Sequence, residues 1–174
     1  MKKLLFELLN KYKFYIGFSS VIYLFSTIVG VVIGLNANLP TSEVSLHFWD
    51  IFLNNIGIGL LIILVGLITL GIGGLLIVVF NGFYLGYILS SVIKVHGLKV
   101  IITAIAPHFF PEMMATFLCC AVGFESRIWI EEKLINSKKG NSKTERFKII
   151  LLTLIIILVL FAIAAWIETN ISYF

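Results

Sequence analysis

From Ile51 through Ile93 the chain carries not one Asp, Glu, Lys or Arg. Drawn as a single α-helix, that run would be about 65 Å long, roughly twice the ~30 Å hydrocarbon thickness of a bilayer. It must therefore enter an apolar phase, turn and return. Gly71-Ile72-Gly73-Gly74 supplies the residues suited to a turn, which leaves two spans, about 51–70 and 74–93. No water reaches the hydrocarbon to satisfy backbone N–H and C=O groups, so spans of this kind are expected to be helices.

Three further apolar stretches, about 14–35, 100–123 and 149–170, complete the pattern. They predict an all-α fold, a polytopic transmembrane helix bundle of about five spans. It forms a single integral membrane domain over 1–174, with no soluble domain of its own. Only 13% of residues are charged, against roughly 25% in a soluble domain. The segment Met1–Lys13 alternates charge with Leu and Phe at helical spacing, like an interfacial helix feeding the first span. That span is too long for a signal-peptide core and no clean cleavage site follows it, so it is read as retained. Cys119 and Cys120 are neighbours, which makes them poor disulfide partners and unsuited to a metal site.

Basic residues fix the expected orientation. Four Lys lie in Met1–Lys13 and seven Lys or Arg in Glu125–Lys148, so eleven of the thirteen fall on one side of a five-span chain. The positive-inside rule makes that side cytoplasmic, with Asn36–Asp50 and Phe174 outside a bacterial plasma membrane. Trp49 and Trp166 would then sit at the outer interface and Trp129 at the inner one. The net charge of +4 is accounted for by these flanks and calls for no nucleic acid. Small residues recur at packing spacing in span one (Ser26, Gly30, Gly34) and span three (Gly82, Gly86). Such patterns let helices approach closely, within one bundle in preference to a homo-oligomer face.

Polar groups inside the spans each need a reason, because hydrocarbon penalises them unless they are paired or hydrated. They are Asn54, Asn55, Asn81, His108, Glu112 and Glu168. His108 and Glu112 are four residues apart and share a helix face. Pro107 and Pro111 lack the amide hydrogens that would bond the carbonyls of Thr103 and Pro107, so the fourth span is expected to be kinked or broken beside that pair. All six groups are placed in the outer half of the bundle. They form there either a polar knot that fixes helix register or a cavity that handles a peptide or an ion. His47 and His96 are read as solvated loop residues, and Glu125 as the partner of Arg127 at the inner interface. No phosphate loop, nucleophile elbow or H-E-x-x-H motif occurs; no cofactor is expected, and the sequence leaves a metal undecided.

At these residues the chain resembles the stage II sporulation protein M family of small polytopic membrane proteins. The matching pieces are Asn54-Asn55 opening a Gly-rich double span, Asn81-Gly82 with Gly86, and Pro107-His108-Phe109-Phe110-Pro111-Glu112. Ala115 to Gly123 and Ala164-Ala165-Trp166-Ile167-Glu168 complete a likeness that runs from about Phe14 to the end. The family's usual Pro-His-Gly is Pro-His-Phe here, and Pro111 precedes the Glu.

The resemblance implies two settings. One is maturation (leader cleavage or head-to-tail ligation) or export of a circular bacteriocin peptide. The other is a sporulation membrane complex that recruits cell-wall hydrolases. In an enzyme reading, a glutamate-type intramembrane peptidase or peptide ligase, Glu112 is the general base and His108 assists proton transfer. Asn54, Asn55 or Asn81 then supplies amide donors to the oxyanion, and Glu168 completes the polar set. In a transport or docking reading the same cavity binds an apolar peptide or a partner helix, and a separate ATPase supplies the energy. A scaffold reading has little docking surface in Asn36–Asp50. Membrane lipid is a partner in every case.

Overall fold

A computed structural model describes residues 2–36, 47–135 and 143–171. Pro40 and Glu43 of the link expected outside, the middle of the loop before the last span, and Phe174 lie outside those residues. All regular structure among the described residues is helical. Among the described residues, five helices, counting Ala106–Leu134 as one, are long and apolar enough to cross a membrane.

The first helix, α1, runs unbroken over Lys2–Gly34. The expected interfacial helix is therefore a continuous extension of span one. The reason is tertiary: Leu8 and Tyr12 are buried in the core, so the first turns have a partner within the protein. α2 (Phe48–Ile68) begins after His47, whose amide nitrogen donates to the Asp50 carboxylate at 3.2 Å. It turns into α3 (Ile72–His96) through Leu70 and Gly71, both at positive φ. Gly71 N–H reaches back to the Gly66 carbonyl at 2.7 Å, and the Thr69 hydroxyl accepts from Gly73 N–H at 2.7 Å. That closure satisfies end groups of both helices and lies where the glycine cluster predicts it.

After Gly97 the chain enters the fourth span through a single turn, Leu98–Val100, and a π-helical turn, Ile101–Ile105. α4 (Ala106–Gly123) follows. The structure does not break this span at its second proline: Pro111 lies inside a continuous α4. The irregularity comes earlier, where Ala106 N–H bonds the Ile101 carbonyl in an i→i−5 step. Pro107 sits in the first turn of α4, where a missing N–H costs least. The widened turn just before it gives its ring room against the preceding carbonyls. α5 (Glu125–Ile135) continues beyond Phe124, so the first part of the expected loop is helical, and α6 (Lys143–Ile171) ends the described chain.

α4 is the centre of the bundle, with every residue from Ala115 to Gly123 buried. α1 and α3 run parallel along a seam of small residues. A Cβ on Gly30 would lie 2.1 Å from the Phe83 carbonyl oxygen, and one on Gly86 2.0 Å from that of Thr27. The small-residue pattern thus packs α1 on α3 within one chain. α2 runs parallel to α4, with Gly66 against Gly123 and Gly59 near Cys119, while α6 returns antiparallel. Trp49 and Trp166 are exposed toward one end of the bundle and Trp129 toward the other.

Candidate functional site

Two polar centres lie at different heights in the bundle. The first is at the basic end, where α1, α5 and α6 meet around Glu125, which is only 5% exposed. Arg146 donates to its Oε2 from Nε at 2.8 Å and from Nη2 at 2.5 Å, and Nη2 also donates to its main-chain oxygen at 2.7 Å. Lys11 Nζ lies 2.5 Å from Oε1, and the fully buried Tyr12 donates its hydroxyl to the same oxygen. Glu132 takes the remaining Arg146 donor at 2.9 Å. The expected Glu125–Arg127 pair is not formed; Arg127 bonds Glu131 one helical turn on. Above this network Phe124 stacks on Tyr15 with ring centroids 4.6 Å apart and closes on Gly71 of the α2–α3 turn. Together these groups seal the basic end.

The second centre lies toward the opposite end, one turn beyond the wholly buried stretch of α4. Cys119 of α4 and Phe161 of α6 meet at Gly59. Seven residues away from that contact along each helix stand Glu112 and Glu168, which brings the two carboxylates to one level. They are close enough to interact electrostatically, and Tyr23 of α1 lies within reach of Glu112 as well. Tyr23 packs between Phe109 and Phe117, the rings that bracket Glu112 along α4. Glu112 and Glu168 are half-buried, as are His108, one turn before Glu112, and Asn81. Asn81 precedes Gly82, which packs on Tyr23 and Ser26, so α3 reaches the same level.

The two neighbouring asparagines of α2 part company. Asn55 lies on the buried face with Gly59, Ile62 and Gly66, at 6% exposure, and its Nδ2 has no hydrogen-bond partner. Asn54 is exposed on the outside of the bundle. The six sequence candidates are thus divided: Glu112, Glu168, His108, Asn55 and Asn81 stay with the bundle, and Asn54 faces away. The hollow found beside them is apolar. It is a half-open space of about 200 Å³ between α2, α4 and α6, lined by Ile56, Gly59, Ile63, Cys119, Ile157 and Phe161 among others, and by none of the six. No group of three or more His, Cys, Asp or Glu side chains suited to a metal ion occurs among the described residues.

The model of the family described as Stage II sporulation protein M matches residues 19–173. The chain belongs to that family. A similar protein is an uncharacterized one from Methanocaldococcus jannaschii, 29% identical over 131 residues, which are 75% of this chain and 73% of the relative. No solved structure matches the chain. Family membership covers α2 to α6 and all six candidate residues, but the match begins after Lys11 and Tyr12, the α1 arm of the Glu125 network. Sequence reading missed that network, and its only signal was an acidic residue at the end of an apolar run.

Proposed function

We propose that the chain acts on an apolar peptide within the membrane, in its maturation or export, the circular-bacteriocin setting of its family. The observation that supports this reading is the buried, unpartnered Asn55 amide on the face of α2 that packs on α4, the helix that carries Glu112. A buried donor left without an acceptor costs about 1–3 kcal/mol, which a bound carbonyl would recover. In the chemistry proposed, Glu112 takes a proton from water and the resulting hydroxide attacks a peptide carbonyl. Asn55 Nδ2 donates to the developing oxyanion, and the proton passes to the departing amine, with His108 assisting. Glu168 stands beside Glu112 as a second carboxylate at that level, and Asn81 lines the α3 side. The basic end faces the bacterial cytoplasm, and the polar level opens toward the outer half of the bilayer.

The test is mature peptide made by cells in which the chain is the sole copy, normalised to folded protein. Asn55→Ala and Glu168→Gln lower product at least about tenfold, while Asn54→Ala, on the outer surface, leaves it unchanged. Equal losses for the two asparagines would remove Asn55 from this role. Full product from both variants would favour a transport subunit served by a separate ATPase.

A further inference from the structure

We infer that the basic end of the bundle carries a binding collar for anionic phospholipid headgroups, formed by Lys13 of α1, Lys133 of α5 and Lys148 of α6. The inference goes beyond the peptide reading above and does not depend on it.

Depth places the collar. α2 (Phe48–Ile68) is about 31 Å long at 1.5 Å per residue, which matches the ~30 Å of hydrocarbon in a bilayer. Its charge-free turn at Leu70 and Gly71 therefore marks the boundary of the apolar phase on the basic side. Phe124 closes on Gly71 and stacks on Tyr15, so both rings lie at that boundary. The headgroup layer occupies about the next 5–8 Å. Lys13 is two residues beyond Tyr15, a rise of about 3 Å, and Trp129 is five beyond Phe124, about 8 Å. Lys133 is one turn further out, but its Nζ folds back to 3.7 Å from the Trp129 ring centroid. Lys148 is two residues from Arg146, which holds Glu125, the residue after Phe124. Three helices thus bring an ammonium group to one layer.

Charge and exposure decide what covers them. Lys13, Lys133 and Lys148 are exposed, and each has an exposed ring beside it: Phe14, Trp129 and Phe147. The carboxylates of this end are engaged by other cations: Glu125 and Glu132 by Arg146, Glu131 by Arg127, Glu7 by Lys3. Glu145 is engaged as well. Among the described residues no carboxylate pairs with the three lysines, and Lys13 Nζ donates to Asn10 Oδ1 at 3.5 Å. An ammonium group has three donors, so each lysine retains some for a phosphate oxygen. Aromatic rings favour this depth because their apolar bodies meet the acyl chains while the polar layer lies alongside. A soluble acidic protein would meet the same cations, but it would have to displace headgroups to reach Lys13 and Phe14. The Glu125 network ties α1, α5 and α6 from within, and bound lipid bridges the same helices from outside.

The experiment uses the full chain in nanodiscs of phosphatidylcholine mixed with phosphatidylglycerol. Trp49→Phe and Trp166→Phe leave Trp129 as the sole tryptophan. Bromine on the acyl chains of one lipid or the other quenches Trp129 and reports which lipid lies beside it. Phosphatidylglycerol should be preferred at least about fivefold, and Lys133→Gln should remove about fivefold of that preference. Native mass spectrometry should show fewer bound phosphatidylglycerol molecules when Lys13→Gln, Lys133→Gln and Lys148→Gln are combined. Lys99→Gln, at the other end of the bundle, should change neither readout. All of these lysines are exposed, and thermal unfolding in detergent confirms that each variant folds. Equal quenching by the two lipids, or a preference that survives the triple substitution, overturns the proposal. Release of phosphatidylglycerol by added polyglutamate would assign the surface to an acidic protein, and release by free glycerol phosphate to a soluble anion; either overturns it too.

Discussion

Removing the Glu125 carboxylate should destabilise the protein by an amount the structure allows to be bounded. Glu125→Ala deletes two Arg146 hydrogen bonds, the Tyr12 hydrogen bond and the Lys11 ion pair. Arg146 keeps Glu132 and the Glu125 main-chain oxygen. Lys11, with a side chain only 10% exposed, keeps neither a carboxylate nor a hydrogen bond. Stranding one partner of a buried pair costs about 3–5 kcal/mol, and because Arg146 remains paired the low end, about 3 kcal/mol, is expected. For a chain of this length that corresponds to a fall of about 6–12 °C in Tm. Thermal unfolding in detergent, followed by the fluorescence of Trp129 on α5, measures it. Adding Lys11→Met should return part of the loss, because the stranded cation goes with it. A Glu125→Ala protein within about 2 °C of wild type would refute the reasoning and make the network a surface feature.

The α1–α3 seam predicts that Gly86→Ala, which pushes a methyl to 2.0 Å from the Thr27 carbonyl oxygen, costs about 1–3 kcal/mol. Gly57→Ala meets no atom within 4 Å and should be neutral or stabilising by up to ~1 kcal/mol; unfolding curves of the pair check the order. Topology is tested by impermeant thiol labelling of sealed cells. Asp50→Cys should react and Lys13→Cys should not, and strong labelling of Lys13→Cys would invert the orientation.

The spans were legible because hydropathy and the absence of charge act along the sequence, and the α2–α3 turn fell at its glycines. What the sequence concealed was rotation. α2 is apolar on every side, so nothing in its pattern distinguishes Asn54 from Asn55, although adjacent residues point about 100° apart on a helix. Only the packing of Gly59 and Gly66 on α4 shows which faces inward. The Glu125–Arg146 pair was hidden for a different reason: its members are 21 residues apart inside a charged segment that reads as solvated. The proline effect was legible in kind and misplaced in position, because a π-helical turn before Pro107 absorbs it and leaves α4 continuous through Pro111. The continuity of α1 was not legible, since an interfacial helix and a docked extension share one amphipathic pattern.

The central claim is that the Glu112 carboxylate, at the level of Glu168, takes part in chemistry on a peptide. Glu112→Gln keeps the side chain's size and most of its hydrogen bonding but removes the base. Mature peptide per folded protein should fall by about 10²–10⁴-fold while the Tm stays near wild type, and Glu112→Leu should lose both product and stability. Full product from Glu112→Gln would contradict the account and leave Glu112 a structural member of the bundle.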